Sequence, residues 1–270
     1  MSENNGPMAE SNLIVAGTHE VVEVQGPGAA AFLQGLISQD VESLDPVKAR
    51  RSFLLGPQGK LRALLWVSRD GDRHELYTDV GYGHVVAEDL GHYKIRVKAV
   101  ISGPEPAWQV IGGSGGVDAS SGGLVRSFVR EAPPQSEFLS PDRWAALRIE
   151  AGEPVMGVDV DEKTIPQETG VVEDAVSFTK GCYLGQELVA RIDTRGRVNR
   201  HLRGLLLGQA TAPGAVAAVG GEKVGSVSSV AWSERLSANV GLALLKRTVQ
   251  PGETVQVADG SGLVVELPFA

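Results

Sequence analysis

The spacing of apolar and polar residues predicts helices and strands in the first two thirds of the chain. "HEVVEVQGPGAAAFLQGLISQD", residues 19–40, predicts a strand and then a helix that begins at Gly26–Pro27. Residues 50–80 contain three extended apolar runs separated by two hairpin turns. A short helix and a strand follow over residues 83–101. Residues 1–101 are therefore predicted to form an α+β module with an antiparallel sheet.

The remaining pattern predicts a second α+β module and an all-β module. Residues 102–140 are rich in Gly, Ser and Pro, and they predict only short strands. Residues 140–152 and 185–196 each carry a helix pattern, which places a second α+β module over 102–200. From residue 201 to residue 270 the chain shows five short strands separated by turns, which predicts a small β-barrel or sandwich.

Composition limits the class of protein. The chain has 270 residues, of which 42% are hydrophobic, and no apolar run reaches the roughly 18–20 residues of a membrane span. The N-terminal "MSENNGPMAESN" lacks the basic and apolar regions of a secretory signal, so we expect a cytoplasmic protein with no membrane partner. A single cysteine excludes an internal disulfide, and the five histidines show no metal-ligand spacing. We expect no metal site, and we expect a monomer.

Charge is distributed unevenly along the chain. The net charge of −8 argues against strong general binding of nucleic acid, which requires a basic surface. Residues 180–203 nevertheless contain six Lys or Arg residues and two acids, a local charge of +4. Two explanations stay open: a solvated helix face with a strand edge, or a wall that binds anions. Direct contact of residues 191–203 with tRNA is a third and weaker interpretation.

The only cysteine, Cys182, lies in the octapeptide "KGCYLGQE", residues 180–187, which we call the cysteine segment. A free cysteine is commonly a small buried hydrophobe. Here Lys180 and a helix that begins near Gly185 would both favour a reactive thiolate. The octapeptide is similar to the signature of the YgfZ-type folate-binding proteins, relatives of the glycine-cleavage T-protein. The resemblance extends over residues 13–269, with a similar opening and a similar C-terminal barrel.

The resemblance implies a fold, a cofactor and a set of site residues. The implied fold is α+β and GcvT-like: two α+β modules with antiparallel sheets and a C-terminal β-barrel surround a central folate funnel. The implied cofactor is tetrahydrofolate or a one-carbon derivative, with Cys182 as the reactive group. The residues implied to bind the folate are Lys180, Gly181, Tyr183, Gly185, Gln186, Glu187, Arg191 and Glu168.

Several of these residues also have structural explanations. Tyr183 is more often core packing than a stacking platform. Glu187 favours the first turn of a helix and pairs with Lys180 or Arg191 in the simplest interpretation. Glu168 is either a loop acid or a pterin-binding carboxylate.

The resemblance implies one function and leaves an alternative. The first is an accessory protein that supports assembly or repair of iron–sulfur clusters in client enzymes, including enzymes that modify tRNA. Its partners would be those clients or assembly factors. The alternative is a folate-dependent transferase or demethylase that moves a one-carbon (aminomethyl) group from a small amine. In the T-protein an aspartate is expected in the second hairpin, where this chain has Arg62 and Ala63, which disfavours the alternative.

Overall fold

The computed structural model describes residues 13–112, 116–134 and 136–270. Its helices are α1 (Ala29–Gln34), α2 (Gly83–Tyr93), α3 (Pro141–Glu150), α4 (Val172–Ala175) and α5 (Gln186–Arg195), with a 3-10 turn at Pro166–Glu168. None of these described helices has both the length and the apolar character that a membrane crossing requires.

A mostly antiparallel sheet forms the larger part of the fold. Its strands are β1 (Leu13–Gln25), β2 (Arg50–Leu55), β3 (Leu61–Asp70), β4 (Arg73–Asp79), β5 (Val100–Ile111), β6 (Val117–Asp118), β7 (Arg126–Val129) and β8 (Glu137–Phe138). The strand order is β2-β3-β4-β1-β5-β7-β6, and β8 pairs in parallel with β1. The long strand β1 lies at the centre, because β4 pairs with one of its edges and β5 with the other.

The sheet continues across the predicted boundary between the two α+β modules. Strand β5 begins at Val100 and is twelve residues long, so the boundary after residue 101 falls inside it. The two expected modules therefore share one sheet. The strand expected directly after α2 begins only at Val100, because Arg96 has a φ of 58°, which an extended run cannot contain. The prediction of only short strands after residue 102 is wrong for the same segment.

The two faces of the sheet have different chemistry. Helices α1 and α2 cover one face with an apolar core that includes Val22, Leu33, Leu65, Val86 and Leu90. The opposite face carries aromatic and charged residues, because neighbouring residues on a strand point to opposite sides. Trp66, Tyr77 and Phe128 lie on this second face, and the rings of Tyr77 and Phe128 are stacked with centroids 4.3 Å apart.

The C-terminal strands close into a barrel. They are β9 (Arg200–Leu207), β10 (Val216–Val219), β11 (Glu222–Ser233), β12 (Ala238–Lys246), β13 (Thr254–Val257) and β14 (Gly260–Val265). Closure in the order β10-β11-β12-β9-β14-β13 confirms the predicted barrel and adds β10 to the five expected strands. A closed sheet leaves no unpaired edge, which stabilises such a short set of strands.

Helix α3 joins the barrel to the rest of the protein through a buried ion pair. Its Ser140 N-cap accepts a hydrogen bond from the backbone N–H of Arg143, as the sequence pattern predicts. Arg148 of α3 donates to Asp159 Oδ2 at 2.8 Å and to Ser229 Oγ of β11 at 2.6 Å. Asp159 accepts from Ser229 Oγ as well, at 2.6 Å. Helix, loop and barrel are thus held by one set of hydrogen bonds.

Replacement of Arg148 should therefore destabilise the protein strongly. In Arg148→Met the buried carboxylate of Asp159 loses its charge partner, and we expect the free energy of unfolding to fall by about 3–5 kcal/mol. Arg203→Met is the matched control, because the partner of Arg203 is the exposed Glu266, and it should cost about 1 kcal/mol or less. Urea denaturation measures both; equal losses would show that the Arg148 pair does not hold the barrel in place.

Candidate functional site

Three cavities that share lining residues lie on the aromatic and charged face of the sheet. The first, about 270 Å³, we call the arginine cavity; its lining includes Lys48, Arg50, Arg51, Trp66, Asp118 and Asp174. The second, about 280 Å³, we call the aspartate cavity; its lining includes Thr18, His19, Asp79, Val80, Trp144 and Met156. A space of about 20 Å³ between them is lined by Arg51, Trp66, His19, Asp79 and Glu153. This row of cavities is the candidate functional site.

A buried group of charges separates the two larger cavities. Arg126 of β7 makes a two-pronged ion pair with Glu153, and Arg51 Nη2 of β2 lies 3.2 Å from Glu153 Oε1 without the alignment of a hydrogen bond. The guanidinium carbons of Arg51 and Arg126 lie 4.5 and 4.6 Å from the ring centroid of Trp66. Burial opposes ionisation of Glu153, but the two arginines outweigh it and hold its pKa at about 2. The carboxylate therefore stays charged at neutral pH.

The aspartate cavity contains two buried titratable groups with displaced pKa values. Burial raises the pKa of Asp79 to about 7, although the backbone N–H of Met156 donates to Asp79 Oδ2 at 2.8 Å. Burial, followed by the positive charge of Arg126, lowers the pKa of His19 to about 3, so its imidazole is neutral at physiological pH. Strongly displaced pKa values beside a cavity are characteristic of functional sites.

Arg51, Arg126 and Glu153 are not among the site residues that the sequence predicts. One feature of the sequence could have indicated these residues. A charged side chain stands at an inward position of an apolar strand, as Arg51 does in "RRSFLL" and Arg126 in "LVRSFV". Such a residue is buried only when a partner compensates its charge. Glu153, the partner, lies outside the strands, and no spacing rule connects it with Arg51 or Arg126.

The cysteine segment packs against the loop that follows α1. Lys180 Nζ donates to the backbone carbonyls of Ile37 at 2.8 Å and Gln39 at 2.7 Å. Burial lowers the pKa of Lys180 to about 8. The side chain of Gln39 donates in turn to the carbonyls of Arg51 and Asp174, two residues that line the arginine cavity. The segment is thus connected to the cavity wall through Gln39.

Most of the other residues of the cysteine segment lie at the entry to α5. Tyr183 is buried among apolar residues, and burial raises its pKa to about 12. Gly185 is the N-cap of α5 with a φ of 79°, and Gln186 Oε1 accepts from the backbone N–H of Tyr183 at 3.2 Å. Glu187 is exposed in the first turn, and Gly181 is exposed with open space around it.

The remaining predicted site residues lie apart from the cavities. Cys182 and Arg191 are exposed. Glu168 is buried and accepts two hydrogen bonds from the guanidinium of Arg200, at 2.8 and 2.9 Å. Within the described chain, the lining of the three cavities includes neither the cysteine segment nor Arg191 nor Glu168. Ligand binding by these residues stays a prediction.

Comparisons with known proteins identify relatives of the chain. A family model, the glycine cleavage T-protein C-terminal barrel domain, matches residues 200–269. The tRNA-modifying protein YgfZ of Sodalis glossinidius is 28% identical, over 72% of this chain and 70% of that protein. A chloroplastic protein of Arabidopsis thaliana, named as a candidate transferase, is 36% identical over 132 residues, 47% of this chain and 29% of that protein. This chain therefore spans well under two thirds of the Arabidopsis relative.

The fold has a close counterpart among solved structures. The crystal structure of glycine cleavage system aminomethyltransferase T from Bartonella henselae matches with a TM-score of 0.82 and 17% identity, over 96% of this chain and 86% of that one. The chain is thus similar in sequence to YgfZ proteins, and its fold is that of the glycine cleavage T-protein. The GcvT-like α+β fold expected from the cysteine segment is thereby confirmed.

The chain has Arg62 and Ala63, and no carboxylate, at the place where the T-protein acid is expected. Arg62 is held by Asp89 of α2, with Nε to Oδ2 at 2.7 Å and Nη2 to Oδ1 at 3.0 Å. Ala63 is buried in the apolar core under α1 and α2. Neither residue lines any of the three cavities.

The glycines of the cysteine segment should differ in their contribution to stability. A Cβ on Gly185 would lie 2.6 Å from the carbonyl oxygen of Gly56, and its left-handed φ adds strain. We expect Gly185→Ala to lower the free energy of unfolding by about 2–4 kcal/mol. Gly181→Ala is the control, because its Cβ would meet nothing within 4 Å, and its effect should stay below about 1 kcal/mol. Similar losses in both variants would contradict the docking of α5 on the Gly56 turn.

The displaced pKa of Asp79 predicts a pH dependence of stability. Burial raises its folded-state pKa from 3.8 to about 7, so its contribution to stability is complete below about pH 4 and is lost as the pH rises through about 7. Asp79→Asn lacks this loss. The difference in unfolding free energy, variant minus wild type, should therefore increase between about pH 4 and pH 7, by an amount on the order of 2–4 kcal/mol.

The charged and titratable neighbours of Asp79, namely His19, Arg148, Glu153 and Asp159, remain in both proteins and cancel in the comparison. Asp118→Asn is the control. Hydrogen bonds from Ser120 lower the pKa of Asp118, so its contribution changes only below its ordinary value. Urea denaturation from pH 4.5 to 7.5 measures the differences, and a flat difference for Asp79→Asn would show that Asp79 ionises normally.

Proposed function

We propose that this protein binds a reduced folate, tetrahydrofolate or a one-carbon derivative, in the arginine cavity. The observation that carries the proposal is the composition of its wall. Lys48, Arg50 and Arg51 provide cations, and Asp118 and Asp174 provide carboxylates, beside the ring of Trp66. A folate has glutamate carboxylates at one end and a flat pterin with hydrogen-bond donors at the other. Cations suit the first end, and carboxylates with an aromatic edge suit the second.

The buried arginine supports this assignment. Arg51 is buried, and its Nη2 makes no aligned hydrogen bond with any described residue, although Glu153 lies nearby. A buried donor without a full partner carries a desolvation cost that a ligand oxygen would remove. The neighbouring hydroxyls of Ser120 and Ser121 line the same cavity. They add polar groups that can orient a ligand.

We further propose that the folate-bound protein acts in the cytoplasm as an accessory factor for iron–sulfur enzymes. The support is the kinship with YgfZ, named as a tRNA-modifying protein. Client enzymes that modify tRNA and depend on iron–sulfur clusters would be its partners. Cys182 suits contact with such a partner better than buried chemistry, because its thiol is exposed. Aminomethyl transfer is not favoured, because Arg62 and Ala63 stand where an acid is expected.

Isothermal titration with tetrahydrofolate and its methylene and formyl forms tests the binding. We expect saturable binding by the wild type and a loss of affinity of roughly fivefold to tenfold in Arg50→Ala, since one exposed charge-assisted contact is removed. Lys246→Ala is the control, because Lys246 is an exposed lysine at the end of β12 in the barrel. It should bind like the wild type. No binding by the wild type would refute the folate proposal.

Alkylation of Cys182 gives a second readout in the same samples. Iodoacetamide should label the native protein readily, because the thiol is exposed. Slower labelling with bound folate would place the thiol at the folate site, and unchanged labelling would place it outside that site. The cellular role is tested in a strain that lacks the protein, by the activity of iron–sulfur enzymes with and without the Cys182→Ser variant. Normal activity in the empty strain would refute that role.

A further inference from the structure

The aspartate cavity has apolar walls and a polar inner end. Trp144, Pro154 and Met156 contribute to its walls. Val80 and Val158, which are 55% and 53% exposed, lie where the cavity meets solvent. The polar end consists of Asp79 and His19, both buried. A volume of about 280 Å³ with a few convergent polar groups is typical of a site for a small molecule.

The hydrogen-bond network fixes the tautomer of His19. Arg126 Nη1 donates to Gln109 Oε1 at 3.0 Å, and because a guanidinium only donates, the amide oxygen of Gln109 must face it. The amide nitrogen of Gln109 therefore faces His19 Nδ1, at 2.9 Å, and donates to it. Since Nδ1 accepts, the proton of the neutral imidazole is on Nε2. The low pKa of His19 agrees with a neutral ring.

The Nε2–H of His19 has no hydrogen-bond acceptor among the described residues. The nearest carboxylate oxygen, Asp79 Oδ1, lies 4.0 Å away, beyond the 2.7–3.2 Å of a hydrogen bond. Asp79 Oδ2 is occupied by the backbone N–H of Met156. Within the described chain Oδ1 receives no hydrogen bond. A donor and an acceptor thus face each other across a gap that one polar group can fill.

We propose that the aspartate cavity is a second binding site, which takes a small neutral molecule with a hydroxyl or primary carboxamide at its polar end and an apolar remainder. The ligand oxygen accepts from His19 Nε2, and the ligand O–H or N–H donates to Asp79 Oδ1. The apolar remainder lies against Trp144 and Met156 and leads towards Val80 and Val158. The site goes beyond the folate proposal, since it uses a different cavity and different residues.

Charge balance around the site selects a neutral ligand. The buried positive groups in and beside the aspartate cavity are Arg51, Arg126 and Arg148, and the buried negative groups there are Asp79, Glu153 and Asp159. The three positive and three negative charges cancel when Asp79 is ionised. An ammonium or carboxylate on the ligand would add a charge with no compensating partner at a buried position, which is costly.

A matched series of phenyl compounds tests the ligand class. Benzamide, benzyl alcohol, benzylamine, benzoate and toluene share a ring and differ in the polar end: amide, hydroxyl, cation, anion and none. We expect benzamide and benzyl alcohol to bind the wild-type protein and to change its tryptophan fluorescence, because Trp144 lines the cavity. Benzylamine, benzoate and toluene should bind at least about tenfold more weakly. Each of them lacks one or both hydrogen bonds or brings an uncompensated charge. Soaked wild-type crystals should show the amide between His19 and Asp79.

A variant separates the two proposed sites. His19→Phe keeps a ring beside Phe128, whose centroid is 5.1 Å from that of His19, and removes the Nε2–H donor. We expect it to lose about fivefold to tenfold in benzamide affinity while tetrahydrofolate affinity changes by less than about twofold. Arg50→Ala is the matched control: its tetrahydrofolate affinity should fall while its benzamide affinity stays within about twofold of the wild type. If neither folate nor its analogues bind but benzamide does, only the folate proposal fails.

Several results would overturn the second site. If toluene binds with the same affinity as benzamide, the cavity selects only apolar ligands. If benzoate or benzylamine binds most tightly, the cavity is a site for ions. If none of the five compounds binds the folded wild type, the space between His19 and Asp79 holds only solvent and the second site does not exist. An affinity for benzamide that is unchanged in folded His19→Phe, or crystals with the ring elsewhere, would remove His19 from the site.

Discussion

The buried ion pair between Arg126 and Glu153 organises the centre of this protein. Arg126 belongs to β7, and Glu153 follows α3, so the pair joins the sheet to the segment that leads towards the barrel. A buried carboxylate is stable only with such compensation. Arg126 also donates a hydrogen bond to Gln109 of β5 and so orients its amide, and the amide nitrogen of Gln109 donates to His19 of β1. One charge pair thereby sets the polarity of the space between the cavities.

The cysteine segment has a different relation to the site. Its lysine holds the loop after α1, and its second glycine allows α5 to approach the turn at Gly56 within van der Waals contact. These contacts are structural, and they leave Cys182 exposed. An exposed thiol is accessible to a partner protein, while the cavities on the sheet are accessible to small molecules. The two features can serve one function without touching each other.

The sequence predicted the positions of those helices and strands that depend on a local pattern of residues. Ser140 before an apolar helical run placed the start of α3, and regular turn spacing placed the barrel strands. The pattern does not predict β5, because the Gly and Pro residues of "ISGPEP" ordinarily interrupt a strand. In the sheet they are tolerated, since Gly103 adopts a φ of 98° beside β1 and the strand pairs on both sides of that irregularity. A neighbouring strand can stabilise a run whose own propensity is poor.

The sequence by itself determined the fold class and the barrel, because these depend on periodicity, and one uninterrupted octapeptide carried the family resemblance. It also made Cys182 the single candidate thiol. Only the tertiary structure decided which charges meet: Arg51, Arg126 and Glu153 come from β2, β7 and a loop, and 75 and 27 residues of sequence separate neighbouring members. Side-chain burial and charge pairing depend on distances between segments that no local pattern encodes. For that reason the cavities, the tautomer of His19 and the high pKa of Asp79 emerge only when the chain is folded.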